Sequence, residues 1–154
     1  MAKGRPEILV TQSLLDRLTD CEQWPETRNA SITMFRESLK RDLEWLLNTR
    51  QPITPELEDF PLAKNSMLRF GYPDIHSFST TRGRDPAALA RAMEECIKLY
   101  EPRISEPRVE LAHSDMLSRS MKFHVEGKIS YENMEEEIKF DTMLELIRGE
   151  YEVS

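Results

Sequence analysis

A chain of 154 residues is long enough for one domain with a core of its own, and at 39% hydrophobic and 32% charged residues that core is modest beneath a heavily charged surface. The net charge of -7 excludes a nucleic-acid surface built on a basic patch, and no apolar run approaches the length of a membrane span. Two cysteines, Cys21 and Cys96, form no disulfide framework and no zinc spacing, which fits a reducing compartment.

Residues 1–12 read as a loose tail, and 13–154 as a single domain. The first residues, MAKGRPEILVT, carry too short an apolar stretch for a signal peptide, so a cytoplasmic protein is expected. Ser13 to Leu18 predicts a short helix or turn packed through Leu14, Leu15 and Leu18. Trp24 to Asn29 contains Pro25 and reads as loop. Ser31 suits the N-cap of a long helix running to about Asn48, with Ile32, Phe35, Leu39, Leu43, Leu46 and Leu47 as its apolar stripe. Met34, Ser38, Arg41 and Trp45 share a face nearly opposite that stripe. A Trp beside an Arg away from the core has the composition of an interface anchor. A helix covered on both sides within its own domain explains the pattern equally well.

Gln51 to Pro61, with three prolines, reads as loop. Asn65 to Phe70 predicts a helical turn closed by Gly71, and Tyr72 to Arg84 a polar connection and the expected place of mobility. Asp85 and Pro86 suit the N-cap and first position of a second long helix, which buries Leu89, Met93, Cys96, Ile97 and Tyr100 on one face. Beyond it the hydrophobic period changes to two. Val109, Leu111 and His113 alternate with polar neighbours, as do Met121, Phe123 and Val125, then Ile138 and Phe140, so each stretch predicts a half-buried strand. By this pattern His113 is a buried, hydrogen-bonded histidine. Glu132 to Glu137 reads as a solvated hairpin connection, and Arg148-Gly149 as a turn before a last strand, Tyr151 to Val153. The fold class is therefore α+β, with N-terminal helices packed on a C-terminal antiparallel sheet.

The sharpest local conflict lies at Glu101-Pro102-Arg103. Pro102 restricts Glu101 and stops the second long helix there. A carboxylate then sits at the negative end of the helix dipole, where a cation is favoured. Such conflicts mark sites whose purpose lies outside local stability. An exposed, solvated Glu-Arg pair without a role fits the same residues.

Signals for catalysis are weak. Five glycines form no phosphate loop or dinucleotide fingerprint, and no nucleophile elbow surrounds a serine. His76, His113 and His124 have no metal-ligand spacing. No cofactor or metal is expected. Carboxylates are abundant, but a glycosidase pair requires a cleft and a set separation that spacing does not provide.

Five segments in order carry a family resemblance: SLLDRL (13–18), SLKRDLEWLLNTR (38–50), NSMLRFGYPDI (65–75), YEPRI (100–104) and FDTMLELIRGEYEV (140–153). Together they resemble the TssE family, small baseplate subunits of the bacterial type VI secretion system. That family is similar to the small baseplate wedge protein of contractile phage tails, once labelled lysozyme-like. Ile104 stands where the family leads one to expect Leu. The resemblance implies a structural, non-enzymatic protein in a wedge with the larger subunits TssF and TssG, in contact with the first sheath layer of TssB and TssC. It implies that Glu101, Pro102 and Arg103 hold the wedge together and that an open sheet edge pairs with sheath strands. Assembly at the inner face of the cytoplasmic membrane complex is expected. Arg41 and Trp45 join the triplet as candidate partner-binding residues. The competing expectation, from the older label, is a cell-wall hydrolase of lysozyme type.

Overall fold

The computed structural model describes residues 10–19, 25–52, 59–74, 85–115, 120–131, 134–146 and 148–154. Cys21, Trp24 and His76, most of the tail, and 75–84 of the expected mobile connection lie outside them. The chain divides into two compact units, Met1–Asp42 and Leu43–Ser154, with the boundary inside the long helix.

The first unit holds α1 (Leu14–Leu18) and the first part of α2 (Arg28–Asn48). Ser13 caps α1 by accepting the Asp16 N–H. The burial is the reverse of the expectation. Leu14, Leu15 and Leu18 are exposed and Asp16 is buried, because five residues make little more than one turn and the turn is held by its polar side. Helix α2 starts three residues before Ser31. Thr27, not Ser31, accepts the early Ala30 N–H, so Arg28 and Asn29 are helical rather than loop. Ser31 is buried inside the helix, where its hydroxyl donates to the Arg28 carbonyl and accepts the Val10 N–H. Phe35 and Leu39 of the predicted stripe are buried, and Ile32 is half-buried.

In the second unit the stripe continues through Leu43, Leu46 and Leu47, each at most 3% exposed. Pro61, expected to close a loop, instead begins a four-residue helix, α3 (Pro61–Lys64). A 3-10 turn, Met67–Arg69, follows and ends with Phe70 as C-cap and Gly71 as C′. Gly71 has φ +118, and a Cβ there would lie 2.4 Å from the Thr49 carbonyl oxygen. Only glycine allows that approach, which lets the Tyr72 N–H reach the Thr49 oxygen at 2.7 Å.

Helix α4 (Pro86–Tyr100) is capped by Asp85 and buries Leu89, Ala90, Met93, Cys96 and Ile97. Four strands then form an antiparallel meander in the order β1-β2-β3-β4: β1 (Ile104–Asp115), β2 (Ser120–Tyr131), β3 (Met134–Glu145) and β4 (Glu150–Val153). One face buries Met121, Phe123, Val125 and Ile129 of β2, Ile138, Phe140, Thr142 and Leu144 of β3, and Tyr151 and Val153 of β4. Helix α4 packs against β1. The turn before β4 places Gly149 at φ +70.

Two sequence expectations fail in the sheet. His113 is exposed, because a register shift between Leu111 and His113 inserts an extra residue and turns His113 to the outer face beside Lys122. Glu135, Glu136 and Glu137 are not a hairpin connection but lie in β3, paired with Ser130, Ile129 and Lys128. A run of glutamates carries no two-residue period, so this first part of β3 was invisible in the sequence, while Ile138 and Phe140 announced the rest.

Candidate functional site

The candidate site is the junction of α4 and β1. The Glu101 N–H donates to the Ile97 carbonyl at 2.8 Å and ends the helix. The Ile104 N–H then donates to the Glu101 carbonyl at 3.1 Å, closing a turn with Pro102 at its second position, where proline is favoured. The Glu101 residue is only 5% exposed. Its carboxylate accepts Arg103 Nε at 2.6 Å and Nη2 at 2.5 Å on its two oxygens, and the Arg103 backbone N–H at 3.2 Å. The fork geometry is that of a bidentate, charge-assisted pair. The Arg103 side chain keeps 25% exposure, the Glu101 side chain 7%.

The solvated pair, one of the two readings of the sequence, is therefore excluded. The misplaced carboxylate is compensated within the chain, since Arg103 brings a cation to the negative end of α4. Ile104, immediately after, is buried and opens β1, so the turn fixes how the strand leaves the helix.

A second Glu-Pro-Arg, residues 106–108, lies five positions later and escaped the sequence reading. It has a different geometry. It occupies a register shift in β1, with Glu106 at φ 51 and exposed. Glu106 accepts Lys128 Nζ at 2.7 Å across the sheet, and the lysine beside it holds the Glu106 carboxyl below its usual range. One triplet is a buried helix terminus, the other a strand bulge.

Arg41 and Trp45 have different surroundings within the chain. Arg41 donates through Nη1 to Asp16 at 2.6 Å and through Nε and Nη2 to Asp42 at 3.1 and 2.9 Å, so its guanidinium is engaged within the first unit. Burial pushes the Asp16 carboxyl up, but hydrogen bonds from Arg41 and Ser13 and the charge of Arg41 outweigh it and hold the group below its ordinary value. The Ser13-x-x-Asp16 spacing was the available signal, since Asp16 also accepts the Ser13 hydroxyl at 2.6 Å. Trp45 lies in the second unit and is 52% exposed. Ser38, expected on the same outer face, is buried and donates to the Phe35 carbonyl.

Two further side chains act on sheet edges. Asn48, at the end of α2, imitates a strand: its amide donates to the Tyr151 carbonyl and accepts the Tyr151 N–H, both at 2.8 Å. Glu94 of α4 accepts the outward Val109 N–H of β1 at 3.3 Å.

The thiol of Cys96 is buried, donates to the Gly71 carbonyl, and is pushed up to about 12 by burial, which makes it a packing group rather than a nucleophile. Tyr72 packs edge-to-face on Tyr151, donates to the Leu89 carbonyl, and is likewise pushed up to about 12 by burial. Among the described residues no group of His, Cys, Asp and Glu is placed to hold a metal ion. No helix among them is long and apolar enough to cross a membrane.

An α+β unit whose distinctive charged motif is spent on fixing a helix-to-strand junction has the build of an assembly subunit. The family comparison agrees: residues 33–134, from α2 through the triplet to the start of β3, match the family of baseplate wedge protein gp25, and the chain belongs to that family. Its role is accordingly a structural one in a baseplate. No curated protein matches the chain.

Proposed function

We propose that this chain is the TssE-type subunit of a type VI secretion baseplate. In this reading it joins TssF and TssG in the wedge and receives the first sheath layer of TssB and TssC through its sheet. It acts in the cytoplasm, at the inner face of the membrane complex, and is not an enzyme. The observation that carries the reading is the buried Glu101–Arg103 fork at the α4–β1 junction, inside the segment that matches the wedge family. The fork sets the angle between helix and sheet, and a partner that grips both elements depends on that angle. Exposed Pro102 and the partly exposed guanidinium are the surfaces the junction offers to it.

Co-expression with TssF and TssG, followed by size-exclusion chromatography with mass measurement, tests the reading. A stable complex containing all three chains is expected, and independent elution of this chain would overturn it. The hydrolase alternative has its own test in zymography on cell-wall material. Clearing by the purified chain, lost when a single carboxylate is changed, would replace the assembly reading with that one.

A further inference from the structure

Helix α1 sits with its polar side against the first part of α2 and its leucines facing outward. The buried Asp16 carboxylate accepts Arg41 Nη1 and the Ser13 hydroxyl, both at 2.6 Å. Polar bonds also fasten the residues that lead into the helix. The Val10 N–H donates to the Ser31 hydroxyl and the Gln12 amide to the Ser31 carbonyl, both at 3.1 Å. Leu14, Leu15 and Leu18 meanwhile remain 70%, 45% and 74% exposed. Single exposed leucines are ordinary on a protein surface. Three on one five-residue helix are not scattered. Burying a carboxylate while leucines stay in water is also the costlier way to seat an amphipathic turn.

The outward side has a definite charge. At about 100° per residue, Leu14 and Leu18 share that side, Leu15 and Arg17 flank it, and Asp16 lies opposite. The exposed residues of segment 10–19 are Thr11, Leu14, Leu15, Arg17, Leu18 and Thr19. They include three leucines, one cation and no anion, on a chain whose net charge is -7. The turn also precedes residue 33, where the match to the wedge family begins.

We propose that α1 is a docking plug that seats in an apolar groove with an acidic rim on another chain. The inference goes beyond the assembly reading above, since it stands on α1 and on neither the Glu101–Arg103 junction nor the sheet. The groove follows from size. At roughly 100 Å² for each leucine, covering all three removes about 300 Å² from water. Two copies meeting through this face would need about 800 Å² from each, and would set one convex turn against another. A groove instead encloses the turn on both flanks and uses all three leucines as anchors. The acidic rim follows from charge. Arg17 borders the leucines, while the one carboxylate of the turn faces inward and is engaged by Arg41. An acidic rim is therefore attracted and a basic rim repelled. The Asp16–Arg41 bond orders the helix before it binds, which lowers the entropy lost on docking.

The test uses the full chain and, as probe, a designed helical hairpin with a leucine- and alanine-lined groove between its helices and glutamates along both rims. A hairpin with lysine rims is the control. Binding is read by fluorescence anisotropy and located by amide hydrogen exchange. The glutamate-rimmed hairpin is expected to bind and to slow exchange at Arg17 and Thr19, whose N–H groups close α1 on the Ser13 and Leu15 carbonyls. Leu14→Ser with Leu18→Ser should melt near wild type, because both side chains are already mostly in water, and should weaken binding by about tenfold or more. Arg17→Glu should reverse the preference between the two rims. Equal binding of both hairpins, unchanged binding by the double serine variant, no reversal by Arg17→Glu, or protection away from α1 would each overturn the proposal. A concentration-dependent dimer of the free chain, lost in the double variant, would overturn it by assigning the face to a second copy. Slow exchange at Arg17 and Thr19 in the free monomer, released in the double variant, would overturn it by assigning the face to another part of this chain. None of these measurements contains a secretion component, so failure here is separable from failure of the three-chain co-purification.

Discussion

Removing either half of the Glu101–Arg103 fork gives unequal losses, and the inequality follows from their exposures. Arg103→Ala leaves a carboxylate whose side chain is 7% exposed at the negative end of α4, with one backbone N–H as its remaining donor. Glu101→Ala leaves a guanidinium that is 25% exposed and able to recover part of its hydration. Breaking a fully buried pair costs about 3–5 kcal/mol, while an exposed pair is worth about 1 kcal/mol or less. Arg103→Ala belongs at the upper level, about 3–5 kcal/mol. Glu101→Ala, which also strands the Arg103 N–H, is expected between the limits, at about 2–3 kcal/mol. At this chain length the milder loss lowers the melting temperature by about 5–10 °C. Urea unfolding followed by circular dichroism measures both, and Arg103→Lys, which keeps the charge and loses the fork, should fall between wild type and Arg103→Ala. Two variants within about 0.5 kcal/mol of wild type would refute a buried fork. A greater loss for Glu101→Ala than for Arg103→Ala would refute the burial argument even with the pair intact. Because the fork is buried in the isolated chain, the part proposed for it in the wedge is read from variants that still fold. Arg103→Lys is the first of these, and co-purification with TssF and TssG is the measurement.

Leu43 is 1% exposed, so Leu43→Ala should cost about 2–5 kcal/mol, and an unchanged unfolding midpoint would misplace the α2 stripe. In a Trp24→Phe background, Trp45 should emit at long wavelength and be quenched readily in the isolated chain, and shift to shorter wavelength when the wedge partners are added; a blue, protected emission from the chain alone would contradict its exposure. Asp16 has a folded-state pKa held below its ordinary 3.8, so its contribution is present above that value and lost as pH falls through the folded-state pKa. Acid unfolding of Asp16→Asn should therefore be less steep with pH than that of wild type below about pH 4, and identical acid profiles would count against the Asp16–Arg41 bond.

Much of this molecule was legible in the sequence because period and caps are local properties. The 3.6-residue spacing of Phe35, Leu39, Leu43 and Leu46, the Asp85-Pro86 start of α4, its stop at Pro102, and the two-residue alternation of β2 are each decided within a few neighbouring residues. The order of helices and then strands set the fold class in the same way. What the sequence left open depended on residues distant along the chain. His113 faces outward because pairing with β2 slips by one residue, and Glu135 to Glu137 form a strand because β2 offers them a ladder. The leucines of α1 lie outside because Arg41, 25 residues away, holds Asp16 in. Two Glu-Pro-Arg triplets five residues apart are identical as sequence. Burial makes one a charge-compensated helix end, and a cross-strand lysine makes the other an exposed bulge, since the strength of a charge pair depends on how much water surrounds it and what else is in reach.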